Sequence, residues 1–332
     1  MIRQKLQAYA AATIIILATA VTYARAAPLN LTLAGASPNG LWSLIGAGIN
    51  AAVKAADPAS TITYQTSGGG FANAALVARG RVDMGLAHNA ELKLALAGRP
   101  PFHRPVSGLR AIACLYNWSP MQFFLNKAVA DKYRIHSLAD ISARKAPLRV
   151  AVNRAGNIAG DIAVFMLARA GVGEKQLESW GGTVVQAGSS EQGNLIVDGR
   201  IDLIANSLFV RHSSIREVEN TMDVVPLSIP DDVVKATNAK FGTQSFVIPA
   251  GTYKHQQENI VSPSLAAVLV VNKNMDTATA YTLTRALIDH LAALRSVHKS
   301  MAQLTPALLV SEDPLPLHPG AVRAYREAGL IR

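Results

Sequence analysis

TSGGGFANAALVARGRVDMGLAHN, residues 66–89, is the stretch from which the rest of the chain can be read. Three glycines, Gly68, Gly69 and Gly70, open it. The spacing predicts a helix running from them through Arg79 and breaking at Gly80. A short apolar strand follows at 82–87 and ends in the polar pair His88 and Asn89. A glycine-rich loop that feeds a helix N-terminus turns backbone N–H groups, and the positive end of the helix dipole, toward one point. Such a loop holds an anion without using a charged side chain. A weaker echo stands at 189–206, SSEQGNLIVDGRIDLIAN. Gly80-Arg81-Val82-Asp83 and Gly199-Arg200-Ile201-Asp202 each lie between a helix and a strand. The repetition implies two related units with a ligand between them.

Strands and helices alternate on both sides of that stretch. Residues 29–33 alternate apolar and polar, as a strand does. A turn-rich loop at 35–40 follows, and Ile45, Ile49, Ala52 and Val53 then mark one buried helix face. Asp57-Pro58 ends that helix, and 61–65 reads as a second strand. Downstream come a short helix at 91–97, a proline-rich loop at 99–105 and a strand at 109–116. Residues 121–125 are expected to cross into a second unit, where the plan restarts. That unit has a strand at 148–152, a helix buried through Ile158, Ile162, Phe165 and Met166, and a strand at 201–205. A further strand at 221–227 and a polar helix at 231–240 complete it. Residues 244–249 are expected to cross back. The continuous apolar run at 264–271 suits a buried parallel strand. Asp276 caps the long helix after it, which buries Ala280, Leu283, Leu287, Leu291 and Leu294. The fold class is therefore α/β, with mainly parallel sheets. Two lobes joined by two crossings make a hinge and a central cleft. The expected lobes are 27–117 plus 250–332, and 118–249.

The first residues carry an export signal. Arg3 and Lys5 precede an uncharged, mostly apolar run at 10–21, and Ala24-Arg25-Ala26 offers small residues for cleavage after Ala26. The run is short of the ~20 residues that span a bilayer. Residues 1–26 are expected to be a cleaved signal peptide. Cys114 is the only cysteine, so no intramolecular disulfide forms, and its apolar surroundings predict a buried thiol. The formal charge is +10, and the chain stays basic once Arg3, Lys5 and Arg25 are removed. Those charges are scattered and aromatics make up only 6%, so no nucleic-acid surface is expected. A basic balance favours anionic ligands.

Ligands of open α/β sheets bind beyond the carboxyl ends of the strands. The loops there supply the candidate site. Ser37 and Asn39 offer hydrogen bonds, although turn chemistry also explains them. Trp42 is a candidate for the cleft wall or for the core. Gly68, Gly69 and Gly70, with Phe71, form the anion loop, and Asn73 either contacts the ligand or braces that loop. His88 and Asn89 close the third strand at the same edge. In the second unit Arg154 is suited to grip a carboxylate in bidentate fashion, or is a solvated loop arginine. Asn206 and Ser207 follow the second Gly-Arg-Ile-Asp and face the cleft by the same logic. Asp83 and Asp202 are expected to tie the turns before their strands. Arg211 and His212 are placed on the surface, and His318 in a local C-terminal brace. No second His, Cys or carboxylate stands at ligand spacing beside His88, so no metal is expected. There is no Gly-x-Ser-x-Gly elbow, zinc motif or cysteine cluster, and neither a catalytic residue nor a cofactor is assigned.

The ordered set of these loops resembles the TAXI family of TRAP-transporter solute-binding proteins. The likeness rests on 35–46, 67–73 with 80–85, 199–202, and Pro316 to Ala321 with Tyr325, Glu327 and Gly329. It implies a type II-like periplasmic-binding-protein fold and a monomeric receptor in the periplasm. That receptor would capture a small organic anion or amino acid and deliver it to a TRAP membrane permease subunit. It also implies an anion loop at 157–161, which makes Asn157 a ligand candidate. This chain departs at Gly70, where the family has serine, at Trp42, where a tyrosine pair is usual, and at 157–161, where two hydroxyls give way to apolar residues and Asp161. Those departures point to a ligand with fewer charges, or with an apolar body facing Trp42 and Phe71. A ligand sensor for a histidine kinase, and less readily an enzyme on the same bilobal fold, are the alternatives.

Overall fold

β-Branched and apolar runs separated by helices produce ten strands among residues 27–38, 40–311 and 314–332, which the computed structural model describes. The expected signal peptide and Asn39 lie outside these described residues. The strands are β1 (Asn30–Ala34), β2 (Thr61–Gln65), β3 (Met84–His88), β4 (Leu109–Asn126) and β5 (Arg149–Val152), then β6 (Thr183–Gln186), β7 (Leu203–Ser207), β8 (Val224–Pro226), β9 (Gln244–Ile248) and β10 (Ile260–Asn272). They pair in the order β2-β1-β3-β10-β4-β7-β5-β6, with β8 added to β4 and β9 to β10.

The outer strands are parallel: β1 lies between β2 and β3, and β5 between β6 and β7. Helical crossovers impose that direction. The two long strands behave differently. β10 runs antiparallel to β3, β4 and β9, and β4 runs antiparallel to β7 and β8. The expectation of a parallel strand at 264–271 is thus corrected. An unbroken apolar run reports burial of both faces and carries no information on direction.

β4 is one strand of 18 residues, so the strand at 109–116 and the crossing at 121–125 are continuous. Around it are two apolar cores. One holds Leu33, Ile45, Ile49, Met84, Leu86 and Leu269; the other holds Phe123, Phe124, Ile162, Met166 and Leu203. The chain leaves the first core for the second within β4, between Trp118 and Met121. It returns within β10, between Leu265 and Ala267, where the register against β4 slips. Residues 244–248 form β9, which pairs with the first half of β10. Phe71 and Ala90 leave the first unit and pack into the second core, so the two units meet directly.

Local predictions resolve in the same detail. The helix Leu41–Ala56 buries Ile45, Ile49, Ala52 and Val53. Ile45, Ile49 and Val53 each contribute about 1.5–3 kcal/mol of apolar burial, and the Ala52 methyl less. Asp83 accepts from the Thr32 N–H and hydroxyl on β1, and Asp202 from the Arg149 N–H and guanidinium on β5. Both aspartates tie neighbouring parallel strands. Cys114 is buried. His212 is not on the surface: it is fully buried, and its Nδ1 caps the helix Ser213–Thr221 by accepting from Ser214 N–H. The polar flanks of 211–212 conceal that capping role. His318 caps the helix Pro319–Glu327 through Gly320 N–H, as a local brace. No helix among the described residues is long and apolar enough to cross a membrane.

Candidate functional site

The carboxyl ends of β1, β2 and β3 in one unit face those of β5, β6 and β7 in the other. Between them is a cavity of about 180 Å³. Four helices start at its wall. Gly40, Leu41 and Trp42 open the helix Leu41–Ala56, and Gly68 precedes the helix Gly70–Ala78. Asn157 and Ala159 belong to the start of the helix Ile158–Arg169, and Ser189 begins the helix Ser189–Val197. Each N-terminus brings about half a positive charge to the same small volume.

One wall is aromatic. Trp42 donates its Nε1–H to the Tyr116 hydroxyl at 2.9 Å, and its ring lies 4.8 Å from that of His88. Burial pushes the Tyr116 phenol up, so it stays neutral and can serve as a donor. Below the wall, Asn73 is fully buried. It donates to the Gly35 and Leu86 carbonyls at 2.7 Å each, and its Oδ1 lies 2.6 Å from the Ser67 hydroxyl. Asn73 thus stitches together the loops after β1 and β2 and the strand β3. Its side chain is spent on bracing.

The glycines differ from one another. Gly68 lines the cavity. Gly69 sits at φ 107, and a Cβ there would approach the Gly156 carbonyl oxygen of the other unit to 2.7 Å. A Cβ on Gly70 would overlap the Glu91 carboxylate. Glu91 therefore occupies the space that a serine at position 70 would need. Phe71 turns away from the cavity and packs edge-on against Phe102 at 5.8 Å. Asn89 donates weakly to the Gly242 carbonyl and accepts from Ala266 N–H, which ties the end of β3 to β10.

In the second unit Arg154 reaches the cavity rim, where its Nη2 donates to Glu191 Oε2 at 2.7 Å. That hydrogen bond, with a second from the Gly188 N–H, holds the Glu191 carboxyl below its usual range. Asn157 lines the cavity and caps its own helix by accepting from Ala159 N–H. Ser207 lines it too, hydrogen-bonded to Ser119. Asn206 stands behind, fully buried, joining Asn153, Ser189 and Gln192. Gln192 and Asn73 are both the fourth residue of their helices, and both hold the loops that shape the cavity.

Of the residues singled out in the sequence, Ser37, Trp42, Gly68, His88, Arg154, Asn157 and Ser207 come together on the cavity wall. Gly69, Gly70, Phe71, Asn73, Asn89 and Asn206 lie behind it, and Asn39 is outside the described residues. Sequence reasoning missed Ser67, Tyr116, Asn153 and Ser189 on the wall, and Glu91 behind it. Asn153 and Ser189 had a signal, since each follows directly on a strand end or opens the echo of the glycine stretch. Tyr116 had none, because it lies inside a long strand. Among the described residues no cluster of three His, Cys, Asp or Glu side chains is placed to hold a metal.

The NMT1-like family matches residues 33–329. Among curated proteins no sequence matches the chain. Solved structures share the fold at low identity. The periplasmic binding protein BugD superposes with a TM-score of 0.58 at 11% identity, over 91% of this chain and 94% of BugD. MatC from Rhodopseudomonas palustris with bound malate gives 0.54 at 15%, over 91% and 97%. PhnD1 from Prochlorococcus marinus in complex with methylphosphonate gives 0.52 at 12%, over 92% and 100%. The two-lobed periplasmic-binding-protein fold is common to all of them.

Proposed function

Because the chain belongs to the NMT1-like family, we propose that it is an extracytoplasmic solute-binding receptor that closes on one small organic anion. The carrying observation is the convergence of four helix N-termini on one small cavity. Oriented N–H groups and dipoles bind negative charge without reorganising. Arg154 adds a mobile cation at the rim, already partnered by Glu191 and free to exchange that partner for a ligand carboxylate. Size narrows the class: an apolar cavity of about 150 Å³ holds benzene, and this one is of similar size at about 180 Å³. The ligand is then a small acid or amino acid whose apolar body lies against Trp42 and His88. The fold neighbours that bind malate and methylphosphonate support an acidic ligand.

The narrower reading is a TAXI-type receptor in the periplasm that delivers its ligand to a TRAP permease; it rests on the order of the sequence motifs. The first lobe is proposed as 27–117 with the C-terminal segment, and the second as the chain between. We set the return boundary at Leu265–Ala267, a reading supported by the division of the cores within β10. Thermal melting and tryptophan fluorescence of the exported protein, against small organic acids and amino acids, test the proposal. One acid should raise the melting temperature and perturb Trp42 emission. No response across both sets refutes it.

A further inference from the structure

Glu91 is fully buried, and its carboxylate bridges the two units. Oε2 accepts from His88 N–H at 2.8 Å in its own unit, and Oε1 accepts from Ile158 N–H at 3.0 Å in the opposite one. Ile158 is the first residue of the helix Ile158–Arg169. The next two N–H groups of that helix are also satisfied by the protein, Ala159 by the Asn157 side chain and Gly160 by the Asn157 carbonyl. Buried His88 Nδ1 has no hydrogen-bond partner and lies 3.4 Å from Glu91 Oε2. Gly70 leaves the room that the carboxylate fills, since any Cβ there would overlap it. Asp161, in the same first turn, is exposed on one side; partial desolvation and the nearby charge of Glu91 hold its carboxyl above the usual range.

We propose that Glu91 is a built-in anion: it occupies the anion position of the second unit's helix N-terminus and so restricts the cavity to ligands with a single acidic group. This rests on the reading of the cavity as an anion receptor. Glu91 stands directly behind the wall residues His88 and Asn157, and a second ligand carboxylate would have to displace it from two backbone donors. A ligand with one acidic group meets only the remaining helix starts and Arg154. Glu91 is thus a specificity-determining residue that acts by occupying a subsite.

Small-anion rescue tests this. Glu91→Ala removes the carboxylate and leaves a void edged by the His88 and Ile158 N–H groups. Sodium acetate or formate, compared with sodium chloride at equal ionic strength, should raise the melting temperature of Glu91→Ala by roughly 3 °C more than that of the wild type. Glu91→Gln, which keeps the void filled, should show no such excess. Equal shifts in all three proteins overturn the proposal. If Glu91→Ala does not fold, hydrogen exchange in the ligand-free wild type decides. The Ile158 amide should be protected, although a first-turn helix amide ordinarily is not; exchange at the rate of an exposed amide overturns the proposal. For selectivity, the affinity ratio of butanedioate to butanoate should rise about tenfold in Glu91→Ala, or 1.4 kcal/mol, and an unchanged ratio counts against Glu91 as the selector. Should the wild type bind neither acid, the receptor reading for such acids fails, and the acetate rescue still judges Glu91.

Discussion

At position 70 a hydrogen atom is the only side chain that fits, because the Glu91 carboxylate lies where a Cβ would be. Gly70→Ala should destabilise the protein by on the order of 2 kcal/mol through overpacking. In a Glu91→Ala background the same substitution should cost less than about 1 kcal/mol, because the two changes share one space. Denaturant titration of the four proteins measures this; additive costs would show that the two sites are independent. Gly80 is the control: a Cβ there meets nothing within 4 Å, and only its φ of +64 is strained. Asn73→Ala removes donors from two buried carbonyls and should cost about 2–4 kcal/mol by the same titration. Arg154 is different, being half-exposed in its pair with Glu191. Arg154→Ala should change stability by less than about 0.5 kcal/mol and weaken an anionic ligand by on the order of 2 kcal/mol. Calorimetric titration with the cognate acid separates the two effects; unchanged affinity removes Arg154 from the site.

Three helices or helical turns share one capping device. His212, His298 and His318 each accept, at Nδ1, the backbone N–H two residues further on. An Nδ1 that accepts must be unprotonated. Burial lowers all three imidazoles, and His212 falls to about 4 with the added effect of His298. The folded state thus binds fewer protons than the unfolded chain between the ordinary histidine value of about 6.5 and the lowered ones. Stability is then full above about pH 6.5 and declines as the pH falls toward 4. Denaturation midpoints measured from pH 8 to pH 4.5 should show that decline, and His212→Asn should flatten it. A flat profile in the parent protein would refute the capping account. Helix dipoles add to the effect, since an imidazolium at an N-terminus is repelled.

On the scale of the whole molecule, β4 and β10 each bury residues in both cores, and Phe246 of β9 packs against both. A hinge proposed there would pivot at Trp118–Met121 and Leu265–Ala267. At the cavity, the contacts that oppose opening include the Glu91 bridge to Ile158 and the approach of Gly69 to Gly156; Phe209 packs on Tyr116 and Ser300 donates to the Val210 carbonyl further along the seam. Small-angle scattering should therefore find the ligand-free wild type compact, with a larger radius of gyration for Glu91→Ala. An identical radius in both would show that the remaining packing, Phe71 and Ala90 in the second core and Phe209 in the first, holds the units together without the bridge.

Residue pattern alone determined the α/β class, the alternation of elements and the edge of the sheets at which the cavity opens. Those properties follow from local periodicity: Ile45, Ile49, Ala52 and Val53 can share a face only in a helix, and a loop after a parallel strand emerges at its carboxyl end. Tertiary structure decided the direction of β10, because burial on both faces is the same for parallel and antiparallel neighbours. It also decided which polar residues of 66–89 reach the cavity. His88 does, while Asn73 and Asn89 are consumed as braces. Glu91 is the sharpest case. Its spacing from His88 was legible as a helix start, but its second partner, Ile158, lies 67 residues away across the cleft. A hydrogen bond between units has no local signature, and only the closed fold brings its donor and acceptor together.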